Sequence, residues 1–254
     1  MLSRKGNVFL HATFYTQIVG NNLKRMRGAV ILIGSLLWET KENALNEEQG
    51  LIRIKWRKNL DIENKTPVQL PIRYGRKSSS KKCTYTMVFS NSVKNSGTAY
   101  LIPFNKDANN FSDIKEQALQ LSIAEGISTE KYPNRLIATW GAVAIYFNRK
   151  KKFKELKENW SKEFMKFNNS GYRIGDESPS INSEGQLNFE IDLPQNIDYV
   201  FATPVKPELT EYPNIEIIAE AILESKPKYD TYAKENYKNG IRVDGDDKLI
   251  KKIK

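Results

Sequence analysis

Cysteine and histidine are almost missing from this chain, and their scarcity removes several chemistries together. The one cysteine, Cys83, cannot close an intrachain disulfide and satisfies no zinc-ligand spacing. The one histidine, His11, leaves no material for a Ser-His-Asp triad, a Cys-His pair or a histidine-based metal site. If the chain is an enzyme, its proton-transfer group is therefore expected to be a carboxylate, with lysine or tyrosine as lesser options. Long apolar runs are missing too. The run Ala29-Val30-Ile31-Leu32-Ile33 suits a buried strand, and no run approaches the roughly 18 residues a membrane span needs. Near the N-terminus His11, Thr13, Thr16 and Gln17 break an apolar stretch and no cleavage pattern follows, so a secretory leader is not expected and the cytoplasm is the expected compartment.

What is present is enough for a packed core. Hydrophobic residues make up 39% of the 254 and charged residues 28%, which argues against wholesale disorder. The net charge of +10 is unevenly spread. Lysine and arginine outnumber aspartate and glutamate by 29 to 14 over residues 1–168 and are outnumbered 16 to 11 over 169–254. Such asymmetry can mark a nucleic-acid or membrane surface. Without aromatic residues interleaved in a recognisable motif, two solvated faces of one lysine-rich protein is the simpler reading.

Residues 1–27 show no period and end in Lys24-Arg25-Met26-Arg27; Met26 stands just before the first strand, so 1–27 are expected to be a disordered segment or to precede the true start. A β-branched apolar run then stops at Gly34-Ser35. Residues 35–50 read as a loop with a helical turn, and 53–56 alternate weakly. Strands are expected over 68–74, with Pro71 making an edge or bulge, over 84–89 and over 98–104, joined as an antiparallel meander. A helix over 113–124, capped by Ser112 and stopped by Gly126, presents Ile114, Ala118 and Leu121 on one stripe. A long strand over 135–147 follows. Phe153, Leu156, Trp160, Phe164 and Phe167 then fall at helical spacing. Short strands over 187–191 and 198–202 precede helices over 215–224, 229–239 and 246–253. No internal repeat is present. The pattern predicts an α+β domain over 28–254 with a helical C-terminal part and with 148–211 as an insertion or extension.

The string Val30-Ile31-Leu32-Ile33-Gly34-Ser35-Leu36-Leu37-Trp38 resembles the Tyr-Gly-Ser-Leu-(Leu/Ile)-Trp signature of the γ-glutamylcyclotransferase-like superfamily, in particular its ChaC-type branch. Ile33 stands where that family has tyrosine. The stretch ending in Glu125-Gly126 is similar to the family segment that carries a catalytic glutamate. The tail, with Asn239-Gly240-Ile241 and a final apolar helix, loosely resembles the family's C-terminus. The resemblance implies a γ-glutamylcyclotransferase-like mixed barrel with a C-terminal helical extension. It implies Glu125 as the catalytic acid/base and Gly34, Ser35, Leu36 and Leu37 as the substrate-binding turn, whose backbone N–H groups would cradle a carboxylate. It further implies a γ-glutamyl small molecule that cyclises to 5-oxoproline with no cofactor and no metal.

Tyr74 joins these as a substrate-side candidate, because the basic segment 73–82, flanked by Tyr74 and Tyr85, could hold an acidic group. A surface hairpin is the plainer reading of that segment. Two other classes stay open: a ligand-sensing module without catalysis, and a basic nucleic-acid-binding protein using the lysine-rich helix over 149–166.

Overall fold

The computed structural model describes residues 25–44, 46–78, 84–167, 180–206, 211–225 and 230–254. The expectation for residues 1–24 lies outside these. Met26, expected to precede the domain, is buried and exchanges two backbone bonds with Ala108, while the Arg27 N–H donates to Asp198 Oδ2 at 2.7 Å.

The apolar run at the start becomes β1 (Gly28–Leu32), buried at every position. A strand covered on both faces sits inside a sheet, and that is where it is. The described strands beyond it are β2 (Thr66–Leu70), β3 (Ile72–Lys77), β4 (Tyr85–Phe89), β5 (Gly97–Pro103), β6 (Ala144–Phe147) and β7 (Tyr199–Ala202). Five of them form one sheet in the order β2-β5-β1-β7-β6, with β1 antiparallel to β5 and parallel to β7. The remaining pair, β3 and β4, forms a separate antiparallel ribbon.

The fold is mixed α+β, as expected, but the strands do not close into a barrel. The five-stranded sheet is open, with β2 and β6 as its edges. Pro71 explains part of the difference. The expected single strand over 68–74 breaks there, because proline offers no N–H to a ladder. Leu70 still pairs with Gly97 in the large sheet, whereas Ile72 pairs with Phe89 in the ribbon. The expected meander is thus two separate pairings. Residues 148–211, expected as an insertion, include the inner strand β7 between β1 and β6.

Helices cover the sheet. Residues 53–56 lie in α1 (Glu47–Arg57) rather than in extended chain. Asn46 caps that helix, Glu47 and Glu48 occupy its first turn, and Lys55 and Arg57 its last, so caps and dipole outweigh the weak alternation. Next comes α2 (Phe111–Glu125), capped by Asn110 rather than Ser112 and ended by Gly126 at φ 79°. Of the expected strand over 135–147 only β6 is extended; Ile137 and Ala142 bridge around a tight turn before it. Then α3 (Lys154–Met165) buries Trp160 and Phe164. Residues 187–191 form no strand and contribute a single bridge, Ile181 to Leu187. The C-terminal helices are α4 (Ile215–Glu224), α5 (Thr231–Lys238) and α6 (Asp246–Lys252).

Candidate active site

Where β1 ends, the chain makes a tight helical turn. The Leu37 N–H donates to the Gly34 carbonyl at 3.0 Å and the Glu39 N–H to the Ser35 carbonyl at 2.7 Å. The N–H groups of Gly34, Ser35 and Leu36 donate to no acceptor among the described residues. These three residues border a cavity of about 170 Å³. Glu125 lines the same cavity, delivered by the last turn of α2.

A carboxylate at a helix C-terminus faces the negative end of the dipole, so other groups must hold it. Thr203, just after β7, donates its hydroxyl to Glu125 Oε1 at 2.6 Å. Arg53 of α1 places Nη2 3.6 Å from Glu125 Oε2. The same guanidinium donates to Ser35 Oγ at 2.9 Å and to the Ala124 carbonyl at 3.2 Å, and it pairs with Glu39. One arginine thus ties the β1 turn, the end of α2 and a buried second carboxylate into one unit. Its side chain is 12% exposed and that of Glu39 8%, so solvent screens these pairs little. Arg57 adds bonds to the Leu36 and Glu39 carbonyls at 2.8 and 2.6 Å. Burial holds its guanidinium below the ordinary arginine pKa, and the neighbouring Arg53 charge acts the same way.

The far wall comes from α5. Tyr232 lines the cavity, and its oxygen accepts from the Met87 N–H at 3.1 Å. A Cβ on Gly34 would fall 2.7 Å from that oxygen. Close approach of the tyrosine is therefore what requires glycine here; its φ is not left-handed.

Of the residues expected in the site, Gly34, Ser35, Leu36 and Glu125 are brought together around one cavity. Leu37 packs into the core instead, and Tyr74 lies away from this cavity, buried with its hydroxyl toward Asp246. The cause is a bulge in β3. Tyr74 opposes Met87 and Arg76 opposes Thr86, leaving Gly75 unpaired, and this irregularity re-aims the strand so that Arg76 borders the cavity. Its guanidinium lies 5.3 Å from the centre of the Trp140 ring.

Arg53, Glu39, Thr203, Tyr232 and Arg76 were not expected in the site. Apart from Glu39, which lies four residues past Ser35, they meet the turn or Glu125 from elements distant in sequence; Thr203 and Glu125 are 78 positions apart. The one local signal was the wrong-signed glutamate at the end of α2, which demands a compensating cation.

Among the described residues, no group of three or more His, Cys, Asp or Glu side chains could hold a metal ion. No described helix is long and apolar enough to cross a membrane. Comparison with protein-family models, curated proteins and solved structures finds no match to this chain.

Proposed function

We propose that the chain is a γ-glutamylcyclotransferase-like enzyme that releases 5-oxoproline from a γ-glutamyl small molecule. The observation that carries this reading is the meeting of Glu125 with the 34–36 turn across one small cavity, although the two lie far apart in sequence. The fold kinship proposed is with that superfamily, through its order of strand, Gly-Ser turn and Glu-Gly helix end, without a closed barrel.

In this reading the substrate carboxylate accepts from the unengaged turn N–H groups, and the α-ammonium lies against Glu125. Glu125 takes one ammonium proton. The freed amine nitrogen attacks the γ-carbonyl carbon and a five-membered ring closes. The C–N bond to the leaving amine breaks as that nitrogen receives the proton from Glu125, and the surplus proton on the ring nitrogen passes to the released amine, which departs as an ammonium while the ring is left as neutral 5-oxoproline. Attack within one molecule already has an effective molarity on the order of 10⁵ M or more when geometry is held, so a rigid turn and one carboxylate suffice. The test is 5-oxoproline release from a panel of γ-glutamyl amines and peptides. Release with at least one member is expected; silence across the panel excludes the reading.

A ligand-sensing module without turnover is the second reading. It is favoured by the engagement of both Glu125 oxygens, with Thr203 and Arg53, which leaves neither oxygen without a protein partner. Saturable binding of γ-glutamyl compounds without release would select it. Nucleic-acid binding ranks third, because cations after β6 are locally paired: Arg149 with Glu190, Lys150 with Asp192, Lys151 with Asp198. Binding that persists at about 0.2 M salt would reverse that order.

A further inference from the structure

The phenolic oxygen of Tyr232 is surrounded by donors. The Met87 backbone N–H reaches it at 3.1 Å. The Asn236 side-chain amide also faces it. The orientation of that amide is settled by Trp38, whose indole N–H can only donate and does so to Asn236 Oδ1 at 2.7 Å. The Asn236 NH₂ is therefore turned the other way, toward Met87 Sδ and Tyr232.

Because both neighbours donate, Tyr232 is the acceptor in each contact and its own O–H is left without an acceptor among the described residues. A buried hydroxyl proton without a partner is costly, so the arrangement calls for an acceptor supplied from the cavity that Tyr232 lines. Burial also holds the phenol above its ordinary pKa, which keeps the proton in place at neutral pH.

We infer that Tyr232 is a second catalytic group of this site: its hydroxyl donates to the carbonyl oxygen of the scissile γ-amide. This rests on the γ-glutamyl reading above. When the amine attacks, the C=O π pair moves onto that oxygen. Tyr232 holds the developing negative charge through its O–H, and the pair returns to re-form the carbonyl as the leaving amine departs with the proton from Glu125. Tyr232 keeps its own proton throughout. The two donors on its oxygen polarise the O–H outward and strengthen the bond it gives. The ligand class follows: an amide whose carbonyl oxygen meets Tyr232 while an ammonium in the same molecule meets Glu125.

The experiment compares 5-oxoproline release by the full chain, Tyr232→Phe and Glu125→Gln. Removing one such donor typically lowers kcat by about 100-fold or more, and here KM should change little. Phenylalanine keeps the ring but takes the acceptor from the Met87 N–H, so a second series replaces Tyr232 with 3-fluoro- and 3,5-difluorotyrosine, which keep the oxygen and acidify the phenol. Turnover that tracks phenol acidity across that series supports the donor role. Tyr232→Phe within about threefold of wild type, or fluorotyrosine variants whose turnover ignores acidity, overturns it while leaving the γ-glutamyl reading intact. No release by wild type overturns both.

Discussion

Two clusters in this protein each join an acid, an arginine and a tyrosine, and they differ in what surrounds the acid. In the first, Glu125 sits with Arg53 and Tyr232; in the second, Asp246 sits with Arg242 and Tyr74. Glu125 has a partner for each oxygen. Asp246 accepts from the Val243 N–H at 2.8 Å through Oδ2, while its buried Oδ1 has no partner. Arg242 spends its guanidinium on the Asn236 and Ile241 carbonyls and on the Tyr237 ring, 3.6 Å away. Burial accordingly pushes Asp246 up to about 6. The comparison separates two uses of a buried acid. A carboxylate held by a shared arginine beside an opening can do chemistry; one enclosed without a full counter-ion fastens α6 to the ribbon and carries a pH-dependent cost.

The largest effect expected from breaking this contrast is at Arg53. Arg53→Ala strands Glu39 and Glu125 without their cation, and removing one partner from a buried pair costs about 3–5 kcal/mol. Denaturant unfolding should show that loss. An unchanged midpoint would mean that the arginine does not organise the site.

Asp246→Asn should act in the opposite direction. The carboxyl pKa is higher folded than unfolded, so the folded state binds the extra proton and this group favours folding most below about pH 4. Its contribution falls away as pH rises toward about 6. The asparagine variant, which has nothing to ionise, should become the more stable protein by about 2–3 kcal/mol near pH 7 and should match wild type more closely at pH 4. Parallel stability curves from pH 4 to 7 would contradict this.

A smaller effect is expected at Gly34. The added methyl of Gly34→Ala meets the Tyr232 oxygen at 2.7 Å, and overpacking of this kind costs about 1–3 kcal/mol. The turn and Tyr232 must move apart, so ligand affinity should fall along with stability. Full stability with lost affinity would place the clash elsewhere.

Sequence alone went a fair distance toward this picture. The burial of β1, the stop at Gly126 and the amphipathic α3 follow from composition and period, which are local properties. The Gly-Ser turn and Glu125 were legible as candidates because each is a short motif. Arg53 was not, since its weak alternation hid a helix whose caps lie at Asn46 and in the charged end turns. Tyr74 was named for flanking the basic segment 73–82; regular alternation would put it on the same face as Arg76, and the bulge at Gly75 separates the two so that Arg76 borders the cavity. Nor does any local pattern pair Tyr232 with a turn at the other end of the chain. That pairing arises only when α5 packs against β4 and the β1 turn. The barrel failed for a similar reason, because Pro71 sends the chain from one sheet into another.

The measurement that bears most directly on the account is 5-oxoproline release by wild type and Glu125→Gln, made beside their thermal unfolding. The account predicts that the two proteins melt within a few degrees of each other and that turnover falls by about 100-fold or more, the scale for removing a general base. A Glu125→Gln variant that folds normally and turns over at the wild-type rate would contradict it.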